Sequence, residues 1–538
     1  MDAKTLVFGH SHEAREIANR LLQHGGEVVV ATPAGTEDRH HFENLGTGIG
    51  SGRCEILPLG NSFSCDGSVG RFGISVHADG HVHTKTASSI VIADTIERSP
   101  NYSFYSLGPS AYVVSLSQIM TWIAAGSEAV TAHLAGKRIA FLTGLVEESN
   151  PVITEEIMRC ALNCQQVFDK QTYLFTRNLK VAANGLEALY RQTKEAGMVY
   201  MKFAETIPKI EVSGDGRVVL TYLDEVIRER FQLKPDVTVV DETLQSSALS
   251  RDLSYKLRIH TGPDGFIQSD NVHRATVFTN RTGIFVAGFS RGIQTRTDRQ
   301  ADVGNTVQAV LNLYQHPPED PVGKAHIRYS GHCVGCLTCF RACPYGAISL
   351  TPRVTVDPLA CEGCGICAAE CPRFAITINM PAGENISERI PDAKKKVATE
   401  NFKPAITAFC CSRSAKGAGD LAVKMGCSLP SGLTLVAVPC AGSVSLVHLT
   451  AAFKQGADGV LVMTCHDGNC HSEYGNIYAH RRVEQLTDLL SQIGFEPERL
   501  QYRTLASNMG TEFAGAVSAF ENTLRDLGPS LLKEESEK

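Results

Sequence analysis

The run Cys333-x-x-Cys336-x-x-Cys339-x-x-x-Cys343-Pro344 recurs as Cys361-x-x-Cys364-x-x-Cys367-x-x-x-Cys371-Pro372. A segment this dense in thiols cannot close around an ordinary apolar core. Three thiolates of each run wrap one face of an iron–sulfur cluster, and the fourth crosses to the other cluster. The spacing therefore predicts one [4Fe–4S] centre on Cys333, Cys336, Cys339 and Cys371, and a second on Cys361, Cys364, Cys367 and Cys343. The prolines turn the chain out of each loop, while Gly335, Gly363 and Gly365 let backbone approach sulfur closely. Zinc knuckles take four ligands in two pairs, a pattern that this doubled run does not follow.

The rest of the chain sets the context for those thiols. Of 18 cysteines in 538 residues, 14 fall between Cys333 and Cys470, and only Cys54, Cys65, Cys160 and Cys164 precede them. The start MDAKTLVFGH lacks the order of a signal peptide, and no apolar run is long enough to span a bilayer. The expected location is cytoplasmic, with any membrane association made through partner subunits. Thiols in a reducing compartment argue for metal ligation over disulfides. A net charge of -6 gives no reason to expect nucleic acid.

A second set of cysteines follows in Phe409-Cys410-Cys411, Pro439-Cys440-Ala-Gly442 and Thr464-Cys465-His466-Asp-Gly-Asn-Cys470-His471. Each group comes directly after a short apolar run, AITAF, LTLVAV or GVLVM, that reads as a buried parallel strand. Strand carboxyl ends of an open parallel sheet converge on one crevice. Cys410, Cys411, Cys440, Cys465 and Cys470 are thus expected near one site, as ligands of a [2Fe–2S] centre, with zinc the alternative.

The amino-terminal part reads as α/β. Lys4–Phe8 forms a strand, Ala14, Ile17, Ala18, Leu21 and Leu22 mark one face of a helix, and Glu27–Ala31 forms a second strand. The pattern restarts at Arg138–Leu142, with a helix near 154–168 and strands at 172–175 and 199–203. This predicts two lobes with parallel sheets, a degenerate FAD/NAD(P)-binding, Rossmann-like fold. The first turn, VFGHSHEA, keeps Gly9 of the three glycines that a dinucleotide turn uses, and no carboxylate stands near Thr32 to hold a ribose. His12 is expected to crowd a pyrophosphate there. Gly288 and Gly292, in and after TGIFVAG, are candidate cofactor contacts. FAD stays an open alternative.

These motifs carry a resemblance. Residues 402–528, with FCCSRSA, VPCAG, GADGVLVMTCHDGNCH and YGN, resemble the delta subunit of methyl-viologen-reducing hydrogenase. Residues 1–380, with YRQTKEAG, DGFIQ, TGIFVAG and the paired cysteine runs, resemble the A-subunit family of heterodisulfide reductases. A fusion of the two is most similar to the B-subunit family of quinone-interacting membrane-bound oxidoreductase complexes. The resemblance implies a flavoprotein-type region over 1–320, a two-cluster ferredoxin unit over 325–380, a linker over 381–401 and a [2Fe–2S] domain over 402–528. It implies an oxidoreductase component that relays electrons without a catalytic side chain of its own. Its partners would be other subunits of such a complex, including a flavoprotein and a membrane cytochrome. Two alternatives stand beside it: an FAD-containing, electron-bifurcating enzyme and a non-enzymatic redox sensor or scaffold. The family pattern FCC-x-x-C has Ser414 at its third position here, which leaves the ligand set open.

Overall fold

Runs such as Leu6-Val7-Phe8 and Val28-Val29-Val30-Ala31 are apolar on both faces, so they are stable only as strands covered on both sides. The computed structural model describes residues 3–33, 54–60, 62–78, 81–134, 136, 138–225, 227–267, 276–316, 324–327, 331–350, 352–378, 386–393 and 402–531. In it these runs form the centre of a five-stranded parallel sheet, in the order Ile284–Val286, Ser89–Ile92, Lys4–Phe8, Glu27–Pro33 and Cys54–Leu59. Helices His12–Gln23 and Arg296–Gln315 lie on one face, with Ile17, Leu21, Val303 and Val310 in their core. An antiparallel meander, Ser62–Ser68, Arg71–Ala78 and His81–Ala87, covers the other face.

The second lobe repeats the plan. Its parallel sheet runs Val199–Lys202, Gln171–Thr176, Arg138–Leu142, Val237–Val240 and Val113–Ser115, and a meander over Lys209–Leu233 packs on it. Two antiparallel connectors, Ile96–Pro100 and Glu242–Ser246, join the lobes. Arg98 binds Glu156 and Glu242 across them, and Ser117 donates its N–H and hydroxyl to Glu242.

The cysteine-rich segment is a small unit with internal two-fold likeness. The pairs Ala325–Ile327 with Ile376–Ile378, and Ile348–Leu350 with Val354–Val356, flank two short helices, Thr338–Ala342 and Ile366–Ala369. The carboxy-terminal region is a four-stranded parallel sheet ordered Leu433–Val438, Ile406–Cys411, Gly459–Thr464 and Leu500–Thr504. Chain order reverses between Ile406–Cys411 and Gly459–Thr464, which makes the carboxyl ends of those two strands the switch point of the sheet.

The helix expected near 154–168 begins earlier, at Pro151, because Asn150 caps it and proline suits its first turn. Two features go beyond the expected elements: the meander over 62–87, whose middle strand alternates Phe72, Ile74 and Val76 with polar residues, and the edge strand Leu500–Thr504. Of the linker expected over 381–401, only 386–393 is described, with a single turn at Ile386–Arg389. The remainder, and the tail 533–538, lie outside the described residues. No helix among the described residues is long and apolar enough to cross a membrane.

Candidate iron–sulfur sites

Each cysteine run supplies three thiols from a tight turn and sends its fourth across the unit. One cavity is lined by Cys333, Cys336, Cys339 and Cys371, and the other by Cys343, Cys361, Cys364 and Cys367. The interleaving arises because each short helix carries a run's third cysteine inward, and the Cys-Pro step after it leads the fourth to the opposite cavity. Burial pushes Cys367 up to about 12 and raises Cys364 as well, with neighbouring thiols adding to both. Cys336 is exposed and goes the other way, lowered first by its hydrogen bond with Thr338. Four crowded thiols are costly as bare thiolates, and bound iron removes that cost by taking their charge. Backbone N–H groups of Ala325 and Ala375 donate to Cys361 and Cys371 sulfur, as cluster-bearing loops require. The donor set fits a [4Fe–4S] group at each cavity.

The second cysteine set sits at the switch point of the carboxy-terminal sheet. Cys411 ends one strand and Cys465 follows the next, with their sulfurs 3.7 Å apart. Cys465 bonds in turn to Cys470, and Cys470 to Cys440, so the four thiols stand in a row. The bond with Cys440 pushes Cys470 up to about 11. Cys411 is raised by its bond with Cys465 and then by burial, and the Ser414 hydroxyl offsets part of the rise. Cys410 is not brought to this row. Strand alternation turns it to the opposite face, into the core formed with Ala418, Phe513 and Val517. Among the described residues no three Cys, His, Asp or Glu side chains close tightly around a single point. The imidazole of His466 contacts Met509 sulfur rather than the thiols.

The two cysteine units touch directly. The turn around Gly365 and Ile366 lies against Gly442, Ser443 and Gly475, so closely that a Cβ on Gly365 would come within 2.6 Å of Ser443. A Cβ on Gly475 would strike Cys440 sulfur. Tyr345, two residues after Cys343, is buried and shares a hydrogen bond with the hydroxyl of Ser472, two residues after Cys470. Arg482 clamps the contact, donating to Glu370 and to the carbonyls of Gly442 and Val444. On the other side, Arg281 is 2 % exposed and reaches the carbonyls of Ala360 and Tyr345, tying the ferredoxin-like unit to the first lobe. None of these contacts is evident in the sequence, since each pairs residues far apart in the chain.

The nucleotide-type turn is differently built from the sequence expectation. His12 points outward, 79 % exposed, toward Glu16, so it does not crowd the turn. Glu13 does: it is buried at the amino end of its helix and held by Arg299 at 2.8 Å. Ser11 caps that helix by accepting the Ala14 N–H, so one of its amino-end donors is already taken. Gly9 has φ +120 and runs tight against Ala93, while Gly288 makes room for the Glu13 side chain; Gly292 faces open space. His10 pairs with Asp94 in the same crevice. Across it the buried Gln294 side-chain amide has no hydrogen-bond partner among the described residues. The crevice thus holds a closed Glu13–Arg299 ion pair beside a turn that keeps one of three glycines.

Comparison with known proteins adds the following. The family described as methyl-viologen-reducing hydrogenase, delta subunit, matches residues 406–528, and the 4Fe-4S dicluster domain matches 332–376. The iron-sulfur D-subunit of the F420-non-reducing hydrogenase of Archaeoglobus profundus is 37% identical over 131 residues, 24% of this chain and 96% of that protein. The A-subunit of the ferredoxin:CoB-CoM heterodisulfide reductase of Methanosarcina mazei is 27% identical over 355 residues, 65% of this chain. The chain spans 44% of that relative's length. The thioredoxin reductase of Lactococcus lactis overlays with a TM-score of 0.37 at 15% identity, over 58% of this chain and 98% of that one.

Proposed function

Starting from a chain that belongs, through residues 406–528, to the methyl-viologen-reducing hydrogenase delta-subunit family and joins it to a heterodisulfide-reductase-A-like region, we propose an iron–sulfur electron relay within an oxidoreductase complex. Cys333, Cys336, Cys339 and Cys371 would hold one [4Fe–4S] group, and Cys343, Cys361, Cys364 and Cys367 the other. Cys411, Cys440, Cys465 and Cys470 would hold a [2Fe–2S] group. Bound clusters supply one-electron transfer, and nothing in the chain is asked to break a substrate bond.

The observation that carries this reading is the direct contact between the Cys364–Cys367 turn and the Cys440–Gly475 region. The chain's own residues fix that contact: Arg482 and Glu370 hold one side, and the buried Tyr345 and Ser472 join hydroxyls on the other. The partners on this reading are subunits of a heterodisulfide-reductase-like or hydrogenase-like complex, a quinone-interacting assembly among them. The closed Glu13–Arg299 pair favours a relay over an FAD-bearing bifurcating enzyme.

The test is a freeze-quench experiment on anaerobically purified chain. Reduction of the [2Fe–2S] signal should be followed by its equilibration with a [4Fe–4S] signal, and Arg482→Met should slow that step without changing iron content. Signals that never equilibrate in the intact chain would overturn the relay.

A further inference from the structure

Two cations, Arg281 buried and Lys324 half-buried, stand against the cavity lined by Cys343, Cys361, Cys364 and Cys367. Both are held by the backbone of its thiol-bearing loops. Arg281, from the first lobe, donates to the carbonyls of Ala360 and Tyr345, one residue before Cys361 and two after Cys343. Lys324 donates its Nζ to the Cys361 carbonyl, and the next residue, Ala325, gives its N–H to the Cys361 sulfur. One acid opposes them at close range. Glu362 lines the same cavity, lies 3.9 Å from Arg281 with its side chain 8 % exposed, and accepts a hydrogen bond from Thr282. Asp357 lies 3.9 Å from its own cation, Arg258, and accepts the N–H of Leu359. The wall thus sets two cations against one close carboxylate.

The other cavity, lined by Cys333, Cys336, Cys339 and Cys371, has cations of a different kind. Arg341 donates to the Cys336 carbonyl and Arg373 lines the wall, but both are exposed. Water and salt screen exposed charges, whereas buried ones act across short distances at much greater strength. Burial matters at the inner cavity because it is covered twice, by the first lobe at Arg281 and by the carboxy-terminal domain at Gly442 and Ser443. Negative charge added in so enclosed a place is poorly solvated and costly unless a cation faces it. The thiols show the same balance: burial raises Cys343, and the Arg281 charge is among the groups that work against that rise.

We propose that Arg281 and Lys324 are positioning residues for the electron: their charges offset the burial of the inner cavity and keep the centre held by Cys343, Cys361, Cys364 and Cys367 reducible, while Glu362 limits how far. This rests on the relay reading above and assigns residues to its inner step. Reduction there takes up one electron from the neighbouring centre or from an external reductant. No bond forms or breaks, and no proton moves. Without those cations the enclosed centre would be the harder of the two to reduce, and the path to the carboxy-terminal thiols would climb at its middle.

The test is a redox titration of the anaerobically purified, iron-loaded full chain, followed by EPR. The inner centre is recognised as the [4Fe–4S] signal that broadens when the [2Fe–2S] centre is also reduced, since its cavity abuts the carboxy-terminal site. Lys324→Gln keeps a donor for the Cys361 carbonyl and removes the charge, and Glu362→Gln removes the opposing charge. At a fixed ambient potential the reduced-to-oxidised ratio of the inner centre should fall about tenfold in Lys324→Gln and rise about tenfold in Glu362→Gln. The outer centre and the iron content should stay as in the native chain. The Glu362→Gln shift should persist in high salt, because that group is buried. Shifts of one sign in both variants, equal shifts of both centres, or no shift in iron-loaded chains would overturn the proposal and leave the relay standing. A native chain that binds no iron would overturn both.

Discussion

Cys410 and Cys411 are neighbours in sequence and occupy opposite sides of a sheet. The alternation of ITAFCC already separates them, because successive strand residues face opposite layers. Cys411→Ser, Cys440→Ser, Cys465→Ser or Cys470→Ser should each remove the [2Fe–2S] EPR signal. Cys410→Ala should keep it and cost on the order of 1 kcal/mol, measured by denaturant unfolding. A lost signal in Cys410→Ala with retained fold would reassign the ligands. Ser414 stands where the related pattern has a third cysteine, and its hydroxyl lies beside Cys411. Glu13 is the other decisive residue. Its pairing with Arg299 leaves the first turn closed, so chain expressed with flavin available should release only substoichiometric flavin on denaturation. A full equivalent of FAD would mean that the ion pair opens.

At the scale of elements, the connectors Ile96–Pro100 and Glu242–Ser246 carry an ionic cluster that ties them to the second lobe through Glu156 and Ser117. Burial pushes the Glu242 carboxyl up, but the Ser117 and Arg98 hydrogen bonds outweigh it and hold the group below its usual range. A carboxylate lowered in the folded state stabilises the fold above its unfolded value. That contribution disappears as pH falls through the folded value. The acid limb of thermal stability should therefore flatten in Glu242→Gln, at the cost of lower stability at neutral pH; an unchanged acid limb would contradict the assignment. Arg482 plays the corresponding part between the ferredoxin-like unit and the carboxy-terminal sheet. Arg482→Met leaves Glu370, itself part-exposed, without its partner, and should cost about 1–3 kcal/mol at that junction. Differential scanning calorimetry should show the carboxy-terminal transition separating from the rest.

Over the whole molecule, the local features were legible in the sequence. Thiol spacing, apolar strand runs and the apolar face of the first helix are set by residues close together in the chain. Strands Arg138–Leu142 and Leu433–Val438 fall where their apolar runs place them. What was hidden depends on distant pairs: Glu13 with Arg299, Tyr345 with Ser472, Arg482 with Glu370. The Ser62–Ala87 meander does carry a local signal, the alternating Phe72, Ile74 and Val76, but its place over the first sheet depends on distant contacts. On the proposed reading, the two ferredoxin-type cavities and the carboxy-terminal thiols would form one electron path through the chain.

The most direct test is to purify the chain without oxygen and quantify iron and acid-labile sulfide, with Mössbauer and EPR spectra of the oxidised and dithionite-reduced protein. Two [4Fe–4S] centres and one [2Fe–2S] centre predict about ten irons per chain, with spin coupling between reduced centres. Fewer than about eight irons with no broad visible absorbance, or zinc in the carboxy-terminal site, would contradict it.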